Sequence, residues 1–233
     1  AVAFSWRQNG GVVLPVFSES ISAKGIRSGV DPYARDPEAF GFTLTPGYPV
    51  IPDEGQVRVI ANTRARLDPD ASLRYALAAL ARNSQEPDRQ LLAWATRAVR
   101  EVLATTHEDL VPHPWHAKDA SGKRLRRGWV SAETQGLLLS AVSRLYQATD
   151  QKHWRGEATR VFGTLLRFRG GYDADGNAYN PWLCFVDASG YLWFEEFPQA
   201  TEPSQTMTSH LAAVIGIYDF ARIARPQLRP VAT

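Results

Sequence analysis

Two adjacent carboxylates, Glu195 and Glu196, stand among aromatic residues in the stretch YLWFEEFP. Sugar-binding clefts combine these residue types, because aromatic rings stack on the apolar faces of a sugar while carboxylates accept hydrogen bonds from its hydroxyls. Such a carboxylate can also act as a general base or acid. Consecutive side chains of a strand point to opposite faces, so we expect at most one of the two to enter a cleft unless the chain bends. The alternative is a solvated strand edge.

A second polar group opens the helix predicted by SAETQGLLLSAVSRLY. Ser131 is a good N-cap, which places Glu133 and Gln135 in the first turns, where a helix N-terminus favours anionic ligands. Gly136 inside this helix costs about 1 kcal/mol relative to alanine. We therefore expect Gly136 to mark close helix packing, the alternative being a ligand that approaches the helix.

A dense basic cluster precedes this helix at Lys123, Arg124, Arg126 and Arg127. Next to a cleft it would hold an acidic polymer, and the alternative is a solvated loop. Four basic residues without a recognised module do not indicate a nucleic-acid-binding protein. We expect no nucleic-acid partner.

Metal and cofactor motifs are absent from the sequence. The HPWH stretch, residues 113–116, places Pro and Trp between its histidines and has no regularly spaced acidic partner, so it does not predict a metal site. No phosphate-binding loop, nucleophile elbow or zinc-protease motif occurs. A single cysteine, Cys184, excludes an intrachain disulfide and a thiolate metal site. We expect no metal and no cofactor.

Hydrophobic periodicity divides the chain at residue 69. Residues 1–69 predict a β-hairpin around Asn9-Gly10, followed by an irregular Pro- and Gly-rich segment with one strand-like run, QVRVIA. Residues 70–233 predict a helical domain with an inserted β-hairpin, built from WLCFV and YLWFEEF. The predicted helices begin after Asp68-Pro69-Asp70, at Ser84, and near residues 131, 152 and 206.

The fold class that these elements predict is mainly α, with antiparallel helical hairpins in an α/α-toroid-like arrangement, complete or incomplete. We expect Tyr218 of the last helix to lie in the core. We expect no further element after Arg225-Pro226.

The segment GWVSAETQGLLLSAVSRLYQATD resembles the part of D-glucuronyl C5-epimerases that runs Trp-Val-Ser-small-x-x-Gln-Gly. YLWFEEFP and VIGIYDF resemble that family's Trp-Tyr-Glu-Glu-Tyr-Pro and Leu-Ile-Gly-Leu-Tyr-Asp-Leu. The segments occur in the family's order and cover about residues 126–220. The resemblance implies a toroid-like catalytic domain that inverts C5 of a uronic acid within a polysaccharide.

That chemistry needs a base to remove the C5 proton, a group that neutralises the sugar carboxylate, and an acid on the opposite face. The resemblance implies Glu195 or Glu196 as base or orienting acid, and Tyr191 or His210 as the opposite proton donor. The substrate-binding residues that we expect beside them are Arg126, Arg127, Trp129, Glu133, Gln135 and Trp193.

Two departures from the family keep other functions open. Phe197 stands where the family has a tyrosine, and the family continues with further helices where this chain stops at Thr233. One alternative is therefore a scaffold without chemistry, a glycan-binding or structural subunit whose missing helices another chain would cover. A second alternative is a polysaccharide lyase, which passes through the same C5 carbanion. In each case the expected ligand is an acidic, uronate-containing polysaccharide.

The chain begins at Ala1 and its single methionine is Met207, so we expect the initiator to have been removed. A cleaved secretion signal would do this, as would simple methionine excision. We expect a secreted or cell-surface protein. No run of 18 apolar residues occurs, so the sequence predicts no membrane span.

Overall fold

The computed structural model of the 233-residue chain describes residues 4–9, 12–17, 58–61, 64–119, 121–198 and 202–232. Helices contain far more of these residues than strands do, which confirms the predicted mainly α fold class. The strands within the described ranges form two-stranded hairpins only. The toroid-like arrangement and the division into two parts at residue 69 stay predictions.

Two hairpins precede the helical part. Strand β1, Phe4–Asn9, pairs antiparallel with β2, Val12–Phe17, which confirms the hairpin predicted from Asn9-Gly10. Strand β3, Arg58–Ala61, covers the last four residues of the strand-like run QVRVIA and pairs with β4, Arg64–Leu67. The rest of the predicted irregular segment lies outside the described residues.

Helix α1, Pro69–Gln85, begins where the sequence predicts. Asp68 is the N-cap, and its Oδ1 accepts a hydrogen bond from the Ala71 backbone amide at 3.1 Å. Pro69 occupies the first helical position, where its missing N–H costs no intrahelical bond. The cap and the proline together fix the start of α1.

The prediction that the second helix begins at Ser84 is wrong. Ser84 lies in the last turn of α1, and helix α2 runs over Arg89–Leu103. Pro87 disfavours helical geometry in the residue before it, and Glu86 there has an extended backbone, so α1 ends before Pro87 and the next helix begins after it. Asp88 caps α2 instead, accepting from the Gln90 amide at 2.7 Å.

The loop after α2 contains one short hairpin, formed by β5, Ala117–Lys118, and β6, Arg124–Leu125. Helices α3, Ala132–Thr149, and α4, Lys152–Leu165, then confirm the helical hairpin that the sequence predicts. Helix α3 lies at the centre of the described fold, since most of its residues are buried.

The predicted second hairpin is confirmed by β7, Cys184–Val186, and β8, Leu192–Phe194, which pair antiparallel. Helix α5 follows over Met207–Ala221. The prediction that no element follows Arg225-Pro226 is wrong, because a one-turn helix α6 covers Arg229–Ala232. Pro230 lies in its first turn, where a helix tolerates proline.

Helices α3 and α5 run in the same direction and touch at Gly136 and Gly216. A Cβ atom on Gly136 would lie 2.6 Å from the Cα atom of Ala213, and one on Gly216 would lie 2.9 Å from the Cα atom of Gly136. Neither position has room for a side chain. Gly136 therefore marks close helix packing, as the sequence predicts.

One face of α5 is exposed, and it carries the residue that we expected in the core. Tyr218 has 42% of its surface exposed and continues a stripe with Met207, Leu211 and Val214. Because α5 is apolar on nearly all sides, its periodicity does not show which side faces the core. The glycine contact decides, by turning Gly216 rather than Tyr218 towards α3.

Candidate functional site

The N-terminal ends of α1, α3 and α5 meet beside the loop that follows β8. The backbone amide of Ala132, at the start of α3, donates to the Glu195 carbonyl at 2.9 Å. Thr134 of α3 donates its hydroxyl to Asp70 Oδ1 of α1 at 2.6 Å. Three carboxyl groups, Asp70, Glu133 and Glu196, gather here and are called the acidic cluster below.

Glu133 of the acidic cluster is easier to protonate than an ordinary glutamate. Its carboxyl is 17% exposed, forms an ion pair with Arg74, and lies 3.5 Å from the Ser209 hydroxyl of α5. Burial raises the pKa of Glu133, and the nearby negative charges of Asp70 and Glu196 raise it further, while Arg74 opposes them. Glu133 can therefore give up or take a proton nearer to neutral pH than an ordinary glutamate.

Asp70 belongs to a tightly bonded network with His113 and Thr134. Burial works against ionisation of Asp70, but hydrogen bonds from His113 and Thr134 and the charge of His113 outweigh it and lower the pKa of Asp70. His113 is fully buried, with Nε2 3.1 Å from Asp70 Oδ2 and Nδ1 3.2 Å from the Trp129 carbonyl. Each ring nitrogen of His113 thus has a hydrogen-bond partner in this network. Asp70 is thus a stable negative charge beside Glu133.

Glu195 is fully buried, and both of its carboxylate oxygens are engaged. It accepts five hydrogen bonds, from the amides of Glu196, Phe197, Ser204 and Gln205 and from the Ser204 hydroxyl. These bonds fix Glu196 and Phe197 near the start of the loop after β8, and Ser204 and Gln205 near its end. Its predicted catalytic role stays a prediction, and its contacts are those of a residue that orients its neighbour.

Glu196 occupies a different environment from Glu195. Strand β8 ends at Phe194, so the two acids follow the strand and do not alternate along it. Glu196 is half-buried, and its charge lies close enough to Glu133 to raise the pKa of that group. Of the two adjacent acids, Glu196 is the one that joins the acidic cluster.

The β7–β8 hairpin brings Trp193 and His210 together. Their rings lie 5.1 Å apart, and Trp193 Nε1 donates to Asp187 Oδ2 at 2.9 Å. Burial lowers the pKa of His210, so the imidazole is neutral at neutral pH. Tyr191 is 53% exposed at the end of the hairpin, where its backbone amide donates to Asp187 Oδ1 and its carbonyl accepts from the Asp187 amide.

Residues 109–228 match the family described as D-glucuronyl C5-epimerase C-terminus. This match extends the suspected resemblance on both sides and spans more than half of the chain. The chain belongs to this family. A comparison with curated proteins gives no match. Family membership supports an epimerase-like protein that acts on polysaccharide.

The epimerase-family region supplies Glu133 and Glu196 to the acidic cluster, whereas Asp70 and Arg74 come from α1, before that region. The sequence analysis missed both α1 residues. They lie four positions apart, which places them on one face of the helix. Their spacing could have indicated a shared polar face of α1, but no sequence pattern indicates that this face lies against Glu133.

Three of the predicted substrate-binding residues, Arg126, Arg127 and Gln135, differ in their exposure to solvent. Arg126 and Arg127 are exposed and, within the described residues, form no hydrogen bond or ion pair through their side chains. Gln135 is fully buried, accepts from the Val111 amide at 3.0 Å and donates to Thr164 Oγ1 at 2.7 Å. Gln135 thus ties a loop to α4, while the two arginines face solvent. Contact of these residues with substrate stays a prediction.

Trp129 is half-buried, with one ring face stacked on His113 at a centroid distance of 3.7 Å. The centroid of the Phe197 ring lies 5.6 Å from that of Trp129.

Among the described residues, no three His, Cys, Asp or Glu side chains are grouped to hold a metal ion. No helix in the described ranges is long and apolar enough to cross a membrane.

Proposed function

We propose that the protein moves the C5 proton of uronic acid residues in an acidic polysaccharide, with the acidic cluster as its active site. The observation that supports this most directly is the raised pKa of Glu133 next to Glu196 and Arg74. Epimerisation needs two proton-transfer groups and one cation, and these three side chains are of those types.

Arg74 is the cation that we assign to the uronate carboxylate. In the free protein the guanidinium group of Arg74 forms an ion pair with Glu133. When Glu133 is protonated it loses most of its attraction for the guanidinium, which can then hold the substrate carboxylate through two parallel hydrogen bonds. The same contact stabilises the negative charge that develops as the C5–H bond breaks.

Proton transfer then uses the two glutamates on opposite faces of the sugar. Glu196, as a carboxylate, accepts the proton from C5, and the electron pair of the C5–H bond moves towards the substrate carboxyl group. Protonated Glu133 donates its proton to the other face of C5. Exchange with water restores both groups, and the reverse reaction exchanges their roles.

The neighbouring residues support this pair. Glu195 accepts hydrogen bonds from the Glu196 and Phe197 amides at 3.0 Å and 3.1 Å and so orients Glu196. Trp193 offers an aromatic surface for a sugar ring. His210 beside it, and Tyr191 at the end of the hairpin, are the alternative proton donors. Arg126 and Arg127 would hold a neighbouring uronate.

A second candidate function, glycan binding without chemistry, is favoured by Phe197. The resemblance places a tyrosine there, and phenylalanine has no proton to transfer. Phe197 instead contacts Trp129, which makes an apolar surface suited to a sugar ring. A lyase remains the alternative within enzymes, and it differs by releasing an unsaturated uronate.

The test is incorporation of deuterium at C5. The protein is incubated with a glucuronate-rich polysaccharide in deuterated water, and C5 deuterium is measured by NMR. We expect incorporation by the wild-type protein and its loss in Glu133→Gln and Glu196→Gln. An unsaturated product, seen by its ultraviolet absorption, would instead identify a lyase.

Glu86→Gln is the matched control, since Glu86 is an exposed glutamate at the end of α1 and its removal should leave exchange unchanged. Tyr191→Phe and His210→Gln test the alternative donors. If folded wild-type protein binds the polymer but exchanges no C5 proton, the function is glycan binding.

A further inference from the structure

A groove of about 530 Å³ lies at the opposite end of α3 and α5 from the acidic cluster. Its walls come from the C-terminal ends of these two helices, from the first turns of α4, and from α6. The charged and aromatic residues that line it are Tyr146, Asp150, Arg155, Arg222, Arg225 and Arg229. Four arginines face one acidic side chain in this lining, so the groove is basic.

Two of these arginines are fixed and two are available. Arg155 lies over the ring of Tyr146 at 5.3 Å, and Arg229 donates its Nε to the Ala224 carbonyl at 3.2 Å. Arg222 and Arg225 are exposed, and their side chains form no hydrogen bond or ion pair with any described residue. The groove therefore contains two arginines that other residues hold in place, Arg155 and Arg229, and two guanidinium groups that are free to bind a ligand, those of Arg222 and Arg225.

We propose that this groove, called the arginine groove, is a second binding site for the acidic polysaccharide, and that it holds carboxylate or sulfate groups of the chain away from the reacting sugar. This rests on the proposed function for the identity of the polymer. Guanidinium groups bind carboxylates and sulfates through paired hydrogen bonds, which suits a glycan that carries such groups at intervals.

The spacing of the two sites gives the arginine groove its role. Glu133 and Tyr146 lie 13 positions apart on α3, which corresponds to about 20 Å along the helix axis. A tetrasaccharide is about as long as this axial separation, so it is too short to follow the surface of the protein from one site to the other. A long chain bound in the groove raises the local concentration of uronate near the acidic cluster through multivalency. The groove therefore affects binding of polymer and leaves the chemistry of short substrates alone.

Binding of a long glucuronate-rich polysaccharide and of a tetrasaccharide from it tests this inference directly. Replacing Arg222→Gln and Arg225→Gln together should weaken binding of the polymer about tenfold, as expected for the loss of two charge-assisted contacts. C5 exchange in the tetrasaccharide should not change. Replacing both with lysine keeps the charge but removes the guanidinium fork, so the loss should be intermediate.

The control removes two positive charges elsewhere, with Arg82→Gln and Arg89→Gln, both exposed residues that do not line the groove. Equal polymer binding by the wild type and the Arg222/Arg225 variant would overturn the inference. Binding of single-stranded RNA of similar charge with the same affinity as the polysaccharide would also overturn it. If the wild type exchanges no C5 proton but the variant still loses polymer affinity, the proposed function fails and the arginine groove stands.

Discussion

The loop after β8 and the first turn of α3 each hold a carboxyl group at the same end of the molecule, and the two are surrounded in opposite ways. Glu195 has no exposed surface and receives five hydrogen bonds from its own loop. Glu133 has one ion pair, one long hydrogen bond at 3.5 Å, and two neighbouring negative charges.

This difference separates a structural acid from a reactive one. A carboxylate whose acceptor sites are filled by buried amides would have to break those bonds to take a proton, and each unmade bond to a buried donor is costly. Glu133 has a raised pKa because its surroundings disfavour its charge. The same chemical group thus holds the loop in place at Glu195 and, in the proposed function, transfers a proton at Glu133.

The largest effect that we expect is on activity. Glu133→Gln and Glu196→Gln should each lower C5 exchange by a factor of about 10³, because each removes a proton-transfer group, whereas their free energies of unfolding should change little. Single-turnover deuterium incorporation and denaturant unfolding measure the two quantities. Loss of activity that merely follows loss of fold would contradict the assignment.

Glu195→Gln should have its main effect on stability. The amide NH₂ cannot accept, so buried amides of the loop lose their partner, and we expect the free energy of unfolding to fall by about 3 kcal/mol. Denaturant titration measures this change. Any exchange activity that remains in folded protein should be well above that of Glu196→Gln. A stable but fully inactive Glu195→Gln protein would show that Glu195 transfers protons itself.

The contact between α3 and α5 fixes the distance between Glu133 and Ser209, and it can be tested with one methyl group. Gly136→Ala should destabilise the protein by about 2 kcal/mol, because the new Cβ would lie 2.6 Å from the Ala213 Cα atom. Gly156→Ala in α4 is the matched control. Its Cβ meets no atom within 4 Å, so we expect stabilisation of about 1 kcal/mol. Effects of the same sign would contradict this account.

The elements that the sequence predicts best are those whose signals are local. Asn9-Gly10 specifies a tight turn, and Asp68-Pro69 specifies a helix start, so β1–β2 and α1 form where expected. The start of α2 was placed wrongly because Ser84 and Asp88 are both good N-caps and the penalty at Pro87 decides between them.

The acidic cluster was only partly predictable, because it forms by long-range contacts. Glu196 and Glu133 stand out by their aromatic and helical settings, but Asp70 and Arg74 resemble ordinary residues of the first two turns of a helix. Their role follows from contacts across 59 and 64 positions of sequence. The same limit applies to Tyr218, whose exposure depends on which face of α5 meets α3.

The smallest effect, and the one most specific to the acidic cluster, is on the pH dependence of stability. The pKa of Glu133 is raised on folding, so the folded state holds this proton more tightly, and its contribution to stability decreases as pH rises through the raised value. The pKa of Asp70 is lowered, so its contribution is present above the ordinary pKa and is lost as pH falls through the lowered value.

The variants Glu133→Gln and Asp70→Asn should therefore show opposite trends. Relative to the wild type, Glu133→Gln should gain stability between acidic and neutral pH, because it lacks the group whose ionisation disfavours the fold. Asp70→Asn should lose stability relative to the wild type at more acidic pH, as pH rises from the lowered pKa of Asp70 to its ordinary pKa, because it lacks the carboxylate that His113 and Thr134 stabilise. Urea unfolding at a series of pH values measures both trends. Parallel trends would mean that the two carboxyls share one environment, and the contrast between a reactive and a stable acid would then not hold within the cluster.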